Sequence, residues 1–138
     1  MWKKFNIDSA RETFDDMSIH IVRVHGYLDS STFPELQEHL ESLIAGGVHR
    51  IIIEFGDLDY ISSAGLGVLM GMLQEVRQYN GDLKLANMSS KIRNLFDMLG
   101  FSRLVRIYED VNTAARAFQE ERETSIPKDA ETPIEDNY

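Results

Sequence analysis

The sequence predicts one α/β domain built on a mixed, largely parallel β-sheet with about four helices. Short apolar or alternating segments, which are typical of strands, take turns along the chain with longer segments whose apolar residues recur at helical spacing. Strands that alternate with helices are joined by crossover connections, which link parallel strands. The 138 residues, of which 43% are hydrophobic and 27% charged, are enough for one well-filled core and few for two.

Two strands are predicted near the N-terminus. Residues 18–25 alternate in polarity, as a half-buried strand does, and Gly26 is expected to end that strand. A less regular strand is expected within residues 4–11, and Asp15 with Asp16 predicts a turn between the two. Both strands are expected to precede the first helix.

The first helix and the central strand follow. Thr32 and Glu35 are spaced as in a capping box, with Pro34 tolerated in the first turn, and the glycine pair at residues 46–47 is expected to end this helix. Residues 48–55 are apolar on both faces at their centre. We therefore expect a central strand that is covered on both sides.

The second half of the chain repeats the alternation and then changes character. The predicted elements are a helix over residues 63–79, a strand over 83–87, a helix from the serine pair at 89–90 to Gly100, a strand over 104–108 and a final helix capped by Asp110. Residues 124–138 hold two prolines, four acids and one lysine, with little that could be buried. We expect a mobile, disordered acidic tail there, after a domain of residues 1–123.

The charge and composition exclude several classes of function. A formal net charge of −9 gives an acidic surface that repels phosphate backbones, so nucleic-acid binding is not expected. The absence of cysteine rules out disulfides and thiolate chemistry and fits a reducing compartment. No apolar stretch approaches the roughly 20 residues that span a bilayer, and the basic N-terminus lacks the apolar core of a signal peptide. We expect a cytoplasmic protein without membrane insertion.

The most informative segment is the serine pair between the central strand and the next helix. Ser62 and Ser63 stand where backbone N–H groups lack partners within the helix, so a serine there can serve as the N-cap. The same N–H groups and the positive end of the helix dipole favour a phosphate. Its oxygens are expected to accept hydrogen bonds from the N–H groups of Gly65, Leu66 and their neighbours. From the residues alone, a simple cap and a phosphorylated switch both stay open.

The order of elements and the serine loop together resemble the STAS domain, specifically that of the bacterial anti-sigma factor antagonists. The resemblance covers roughly residues 5–120 and implies a STAS-type single domain. The segments that carry it are Gly26-Tyr27-Leu28-Asp29, Leu36 with Leu40, Ile61-Ser62-Ser63-Ala64-Gly65-Leu66-Gly67, and Asn87 with Ile92, Leu95, Leu99, Gly100 and Phe101.

This resemblance implies a partner-switching protein in transcription regulation, without catalytic activity or a cofactor of its own. It implies that Ser63 is phosphorylated by an anti-sigma factor, a serine kinase with a histidine-kinase-like ATPase fold. The unmodified protein would bind that kinase and release its target, and a metal-dependent serine phosphatase would reset the switch. Asp29, if its loop lies beside Ser63, would add like-charge repulsion to the phosphorylated state. From the residues alone, a cap of the turn before the first helix stays open for Asp29 as well.

Two positions depart from the usual loop of that family. Ser62 stands where an aspartate usually precedes the acceptor, and Ala64 stands where a serine or threonine usually follows it. Ser62 is therefore a second candidate acceptor. The missing aspartate favours an alternative, an unphosphorylated STAS scaffold or a subunit of a transport system. The partner-binding surface is expected to comprise Asp29, Ser30, Ser62, Ser63, Ala64, Gly65, Leu66 and Gly67.

Other chemistries find little support in the sequence. Gly65 and Gly67 lack both the lysine of a P-loop and the third glycine of a dinucleotide-binding motif. His20 and His25 are expected on opposite faces of one strand, and the four histidines show no metal-ligand spacing. Ser63 is not in a Gly-x-Ser-x-Gly elbow. Nucleotide binding, metal binding and serine hydrolase activity are therefore disfavoured.

Overall fold

The computed structural model describes residues 4–124, which form a five-stranded sheet with helices on both faces. The strands are β1 (Asn6–Phe14), β2 (Met17–Leu28), β3 (Arg50–Ile61), β4 (Asp82–Ala86) and β5 (Ile107–Tyr108). The helices in this part of the chain are α1 (Phe33–Ala45), α2 (Ser63–Arg77), α3 (Ser90–Met98) and α4 (Val111–Thr124), with a 3₁₀ turn at Phe101–Arg103. The predicted α/β class and mixed sheet are confirmed. None of the helices within residues 4–124 is long and apolar enough to cross a bilayer.

The sheet runs in the order β1-β2-β3-β4-β5. β1 and β2 form an antiparallel pair, whereas the neighbours from β2 to β5 are parallel. Connections between parallel strands are right-handed, so successive steps in one direction place their crossover helices on the same face. Accordingly α1, α2 and α3 pack on one face, and α4 covers part of the other.

Apolar side chains form two cores, one on each face of the sheet. Leu36, Leu66 and Phe96 bring α1, α2 and α3 into the larger core. Phe118 of α4 belongs to the smaller one. The isoleucines at residues 51–53 are 0% exposed, since they point alternately into the two cores. The central strand that their unbroken apolar run predicts is therefore confirmed.

Two strands are longer than the sequence predicts. β2 continues past Gly26 to Leu28, and β3 continues past Phe55 to Ile61. The two extensions pair with each other as far as Leu28 with Ile61, so their backbone groups are satisfied in spite of the polar side chains that interrupt the pattern. Two register shifts and a left-handed φ of +91° at Gly26 accommodate the irregular pairing. This extension brings the end of β2 beside the serine loop.

The predicted capping box before α1 does not form. Thr32 is the N-cap residue, but its side chain makes no cap hydrogen bond to the helix. Its hydroxyl instead accepts the N–H of Asp29 at 3.0 Å and donates to the carbonyl of Tyr27 at 2.8 Å. The threonine therefore closes the turn that leads into the helix, and Pro34 occupies the first turn as predicted.

The boundaries of other elements also differ from the prediction. β1 covers residues 6–14 where residues 4–11 were expected, and the last strand contains only Ile107–Tyr108 because the 3₁₀ turn and a bend take up the residues before it. The Asp110 cap is present, since its Oδ1 accepts the N–H of Thr113 at 2.8 Å. The predicted tail lies outside the described residues except for Thr124, at which α4 ends.

Candidate functional site

The serine loop lies at the edge of the sheet where the parallel strands end. β3 ends at Ile61, Ser62 links it to α2, and α2 begins at Ser63. The N–H of Ser62 donates to the carbonyl of Leu28 at 2.8 Å, which fixes the end of β2 against the serine loop. A crevice or surface at the carboxyl ends of parallel strands is the usual binding region of α/β sheets.

Ser62 is the N-cap of α2. Its backbone is extended (φ −90°, ψ 166°), and its Oγ accepts the N–H of Gly65 at 3.2 Å. The carbonyl of Ser62 accepts the N–H of Leu66 at 3.1 Å. Two of the N–H groups that the sequence assigned to a phosphate, those of Gly65 and Leu66, are therefore already occupied. The N–H groups of Ser63 and Ala64, at the first positions of the helix, have no intrahelical partner.

Ser63 differs from its neighbour in both exposure and bonding. Its side chain is exposed, and within residues 4–124 its hydroxyl makes no hydrogen bond, whereas Ser62 is half-buried and bonded. The first turn of α2 carries no acidic residue. Ser63 therefore presents a free hydroxyl beside unpaired N–H groups and the positive end of the helix dipole.

The turn at Asp29 lies next to the serine loop, as the resemblance to the STAS domain implies. Leu28 pairs with Ile61 and bonds to Ser62, and Asp29 follows directly. The hydroxyl and the N–H of Ser31 donate to Oδ1 of Asp29 at 2.6 and 2.9 Å. These bonds hold the pKa of the Asp29 carboxyl below its usual value, so this group is ionised at neutral pH.

The predicted binding residues divide into an exposed, a half-buried and a buried set, with Asp29 and Ser62 half-buried. Ser30, Ser63, Ala64 and Gly67 are exposed. Leu66 is 0% exposed and Gly65 is also buried, so neither presents a side chain to a partner. They hold the helix in place instead, because a Cβ on Gly65 would lie 3.3 Å from the carbonyl oxygen of Leu28. The glycine thus permits the close approach of α2 to the end of β2.

One exposed residue of this surface was not found from the sequence. Gly71 is exposed, and a Cβ added to it or to Gly67 would meet nothing within 4 Å. Ser63, Gly67 and Gly71 are spaced by four residues, which places them on one face of α2. This four-residue spacing was the signal in the sequence from which Gly71 could have been found. The result is a low surface on which a partner can approach the Ser63 hydroxyl.

The serine pair has a structural counterpart at the start of α3. Ser89 is extended (φ −67°, ψ 161°), and its Oγ accepts the N–H of Ile92 at 3.2 Å. Ser90 follows as the first helical residue and is exposed, as Ser63 is. The chain therefore contains two serine-serine helix starts with the same cap.

The histidines stand apart from this site. The Oγ of Ser9 lies 3.4 Å from Nε2 of His20 and 2.8 Å from Nε2 of His39 on α1. His25 bonds through its two ring nitrogens to Asp8 at 2.8 Å and Asp57 at 3.0 Å. Across residues 4–124 no group of three His, Cys, Asp or Glu side chains is placed to hold a metal ion.

Comparison with known proteins identifies similar sequences and folds. The model of the STAS domain family matches residues 11–114. The anti-sigma-B factor antagonist of Staphylococcus epidermidis is 33% identical over 104 residues, which are 75% of this chain and 94% of that protein. An anti-sigma factor antagonist from Mycobacterium paratuberculosis has a similar fold, with a TM-score of 0.69 at 19% identity over 81% of this chain and 93% of that one.

A further similar fold is that of SpoIIAA, which has been solved in two states. Its unphosphorylated form, an anti-sigma factor antagonist, has a TM-score of 0.60 at 22% identity and covers 86% of this chain and 98% of its own. The phosphorylated form from Bacillus has a TM-score of 0.59 at 22% identity and covers 83% of this chain and 99% of its own. At this level of identity the likeness shows the fold.

Proposed function

Because the chain belongs to the STAS domain family, among the anti-sigma factor antagonists, we propose that it is a phosphorylation-controlled partner-switching protein. In its unmodified form it binds an anti-sigma factor that is a serine kinase with a histidine-kinase-like ATPase fold, and the kinase then releases its target. Phosphorylation of Ser63 by that kinase ends the complex, and a metal-dependent serine phosphatase restores it. The protein acts in the cytoplasm as a substrate of these enzymes and catalyses no reaction of its own.

The observation that carries this proposal is the division of roles between the two serines. Ser62 already serves as the cap, with its Oγ bonded to the N–H of Gly65. Ser63 is exposed and its hydroxyl is free of hydrogen bonds within residues 4–124. A modification of Ser63 therefore leaves the helix cap intact. This favours Ser63 over Ser62 as the acceptor.

The helix start can accommodate a phosphate without loss of the fold. Phosphorylation adds about −1.5 to −2 charges and three strong acceptor oxygens. The N–H groups of Ser63 and Ala64 have no intrahelical partner, and the helix dipole favours negative charge at this end. SpoIIAA, which has a similar fold, has been solved in a phosphorylated form, and this supports the inference that the fold tolerates the modification.

The same phosphate opposes binding of the partner. A surface that packs on Ser63, Ala64 and Gly67 would have to bury a dianion with no cation beside it, since the first turn of α2 contains no charged residue. The ionised Asp29 in the adjacent turn adds repulsion. A penalty of about 3 kcal/mol would weaken binding by more than about a hundredfold. This is enough for a switch without a large conformational change.

The direct test is to locate the phosphate. The protein is incubated with ATP and a purified kinase-type anti-sigma factor that binds it, and the modified residue is identified by mass spectrometry. We expect phosphate on Ser63, retained in Ser62→Ala and lost in Ser63→Ala. Ser90, which has the same exposure and cap geometry, is an internal control and should stay unmodified. Phosphate on Ser62 or Ser90, or none at all, would contradict the proposal.

The second candidate function is an unphosphorylated scaffold or a subunit of a transport system. The feature that favours it is Ser62, which stands where the family usually has an aspartate before the acceptor. The structure supports a cap role for Ser62 that an aspartate could also perform. Under this alternative the kinase would leave the protein unmodified, and a negative charge at Ser63 would not affect assembly.

A further inference from the structure

A groove of about 430 Å³ lies at the other end of the parallel strands from the serine loop. Its lining combines the end of α2, the middle of α3 and the segment that leads into β5. Four of the chain's 14 basic residues meet there. The chain as a whole carries a formal net charge of −9, so this concentration of positive charge is unusual for its surface. The four are Arg77, Arg93, Arg103 and Arg106.

Two of these arginines have carboxylate partners and two do not. Nε of Arg77 lies 3.1 Å from Asp82, and Nε of Arg93 lies 3.2 Å from Asp97. Arg103 and Arg106 are exposed, and no carboxylate within residues 4–124 is paired with either of them. The groove therefore holds uncompensated positive charge that an acidic ligand would neutralise.

The groove also offers apolar surface. Leu104, between the two uncompensated arginines, is 57% exposed, and the neighbouring Val105 is 5% exposed. A ligand that fits this lining combines carboxylates with at least one aliphatic side chain. A purely inorganic anion would leave the exposed leucine uncovered.

The chain itself supplies such a segment after α4. α4 ends at Thr124, and a relay of ion pairs connects its last turn to the groove. Glu121 lies 2.7 Å from Nζ of the buried Lys84, which lies 2.9 Å from Asp82, and Asp82 bonds to Arg77 of the groove. Arg122 in the same turn lies 2.7 Å from Asp16, between β1 and β2, so the last turn of α4 lies across β2 to β4 on the face of the sheet opposite to α2 and α3.

Residues 125–138 match the groove in charge and composition. They contain four acids and one lysine, a net charge of −3, and place Ile134 directly before two of the acids. Five extended residues from Thr124 to Asp129 reach up to about 17 Å, and the whole segment of 14 residues reaches up to about 46 Å. We propose that the acidic segment 125–138 binds the arginine-lined groove of its own domain. This goes beyond the partner switch and does not depend on it.

Because segment 125–138 is tethered to its own domain, even a weak contact is sufficient for it to bind the groove. Exposed ion pairs are individually weak, but a short linker holds the segment at a local concentration of the order of millimolar. Because the charges are exposed, salt screens them, and the contact should fade as the Debye length falls to about 4 Å near 0.5 M salt. Residues 102–107 are thereby covered in a salt-dependent manner.

The test uses the full chain with a single spin label. The protein has no cysteine, so Ala130→Cys gives one labelling site between two acids. Amide signals are compared by NMR between the paramagnetic and the reduced label. We expect strong loss of signal at residues 102–107, little loss at Ser63, and recovery at about 0.5 M salt.

Charge variants decide whether the arginines are responsible. Arg103→Gln with Arg106→Gln should restore the signals of the groove, and Arg11→Gln, on the strand at the opposite edge of the sheet, should not. Asp129→Asn with Glu131→Gln should also restore them, and neither position belongs to the lining of the groove. Signals at 102–107 that are unaffected by the label, or that stay broadened in both arginine and acid variants, would overturn the proposal.

Discussion

The starts of α2 and α3 share one local structure and differ in everything around it. Ser62 and Ser89 are both extended, and each accepts the N–H three residues ahead at 3.2 Å. Exposed serines follow both. After Ser63 come alanine and glycines, whereas Ser90 is followed by Lys91 and, two residues later, Arg93. A serine cap is thus decided by its own few residues, and a candidate switch is decided by its surroundings.

The surroundings favour opposite responses to a negative charge. At α3, the exposed Lys91 has no carboxylate partner within residues 4–124 and could neutralise a phosphate, whereas Arg93 already lies 3.2 Å from Asp97. At α2, the first turn has no charged residue, and the exposed Gly67 leaves the surface low. The ionised Asp29 is in the adjacent turn. Under the proposed function, we therefore expect a charge at Ser63 to affect partner binding and a charge at Ser90 to be compensated within the chain.

The largest expected difference between the two helix starts is in partner binding. Ser63→Asp should weaken binding to the kinase-type anti-sigma factor by more than about a hundredfold, about 3 kcal/mol, because the partner must bury an unpaired charge. Ser90→Asp is the matched control and should change the Kd by less than about twofold, since it lies in the compensated surroundings of α3. Titration calorimetry measures both.

Both aspartates occupy the first turn of a helix, where the dipole favours them, so thermal unfolding should be nearly unchanged for each. If Ser63→Asp binds as tightly as the parent, or if Ser90→Asp is equally impaired, the distinction between the two surroundings fails as an account of the switch.

A second difference concerns the third residue after each cap. In α3 this is the fully buried Ile92, and in α2 it is Gly65, whose added Cβ would lie 3.3 Å from both Leu28 O and Ile61 Cγ1. The Leu28 carbonyl cannot retreat easily because it accepts the N–H of Ser62. Gly65→Ala should therefore be less stable than Gly67→Ala by about 1–3 kcal/mol in free energy of unfolding.

Gly67→Ala is the matched control on the same helix. Its Cβ meets nothing within 4 Å, so it should stabilise the protein by up to about 1 kcal/mol through helix propensity. Denaturant unfolding of the two variants gives the comparison. Equal stability would mean that α2 can move away from β2 without cost.

The smallest expected effects lie in the caps, where the two helix starts should behave alike. Ser62→Ala and Ser89→Ala each remove one cap hydrogen bond and should each lower the free energy of unfolding by about 1 kcal/mol. Ser63→Ala and Ser90→Ala remove exposed hydroxyls and should stay within about 0.5 kcal/mol of the parent. A loss at Ser63→Ala as large as at Ser62→Ala would show that Ser63 takes part in the cap.

Much of the fold could be predicted because its signals are local. The apolar run at residues 51–53 predicted a strand covered on both sides, and all three residues are 0% exposed. Asp110 was recognised as a cap from the sequence around it. The capping box at Thr32 was a wrong prediction of the same kind. Its hydroxyl found partners in Tyr27 and Asp29 of the preceding turn, which a box motif does not consider.

The rest required contacts between distant parts of the chain. β3 runs to Ile61 only because β2 pairs with it, and the polar residues between them gave no strand pattern. Lys84 lies in a short predicted strand whose sequence gives no sign of its partners, and it is 0% exposed and bonded to both Asp82 and Glu121. The sequence also assigned the N–H groups of Gly65, Leu66 and their neighbours to a phosphate, and Ser62 occupies the first two of these.

The order of strands and helices, the caps of α2, α3 and α4 and the serine pair were determined by the sequence alone, because each depends on residues within about four positions. The family, too, could be inferred from the motif around Ser63. Tertiary structure decided which serine is free, which glycine is buried, and how arginines from three separate segments line one groove. These depend on strand register and crossover packing, which join residues far apart in the chain and leave no periodic trace within any one segment.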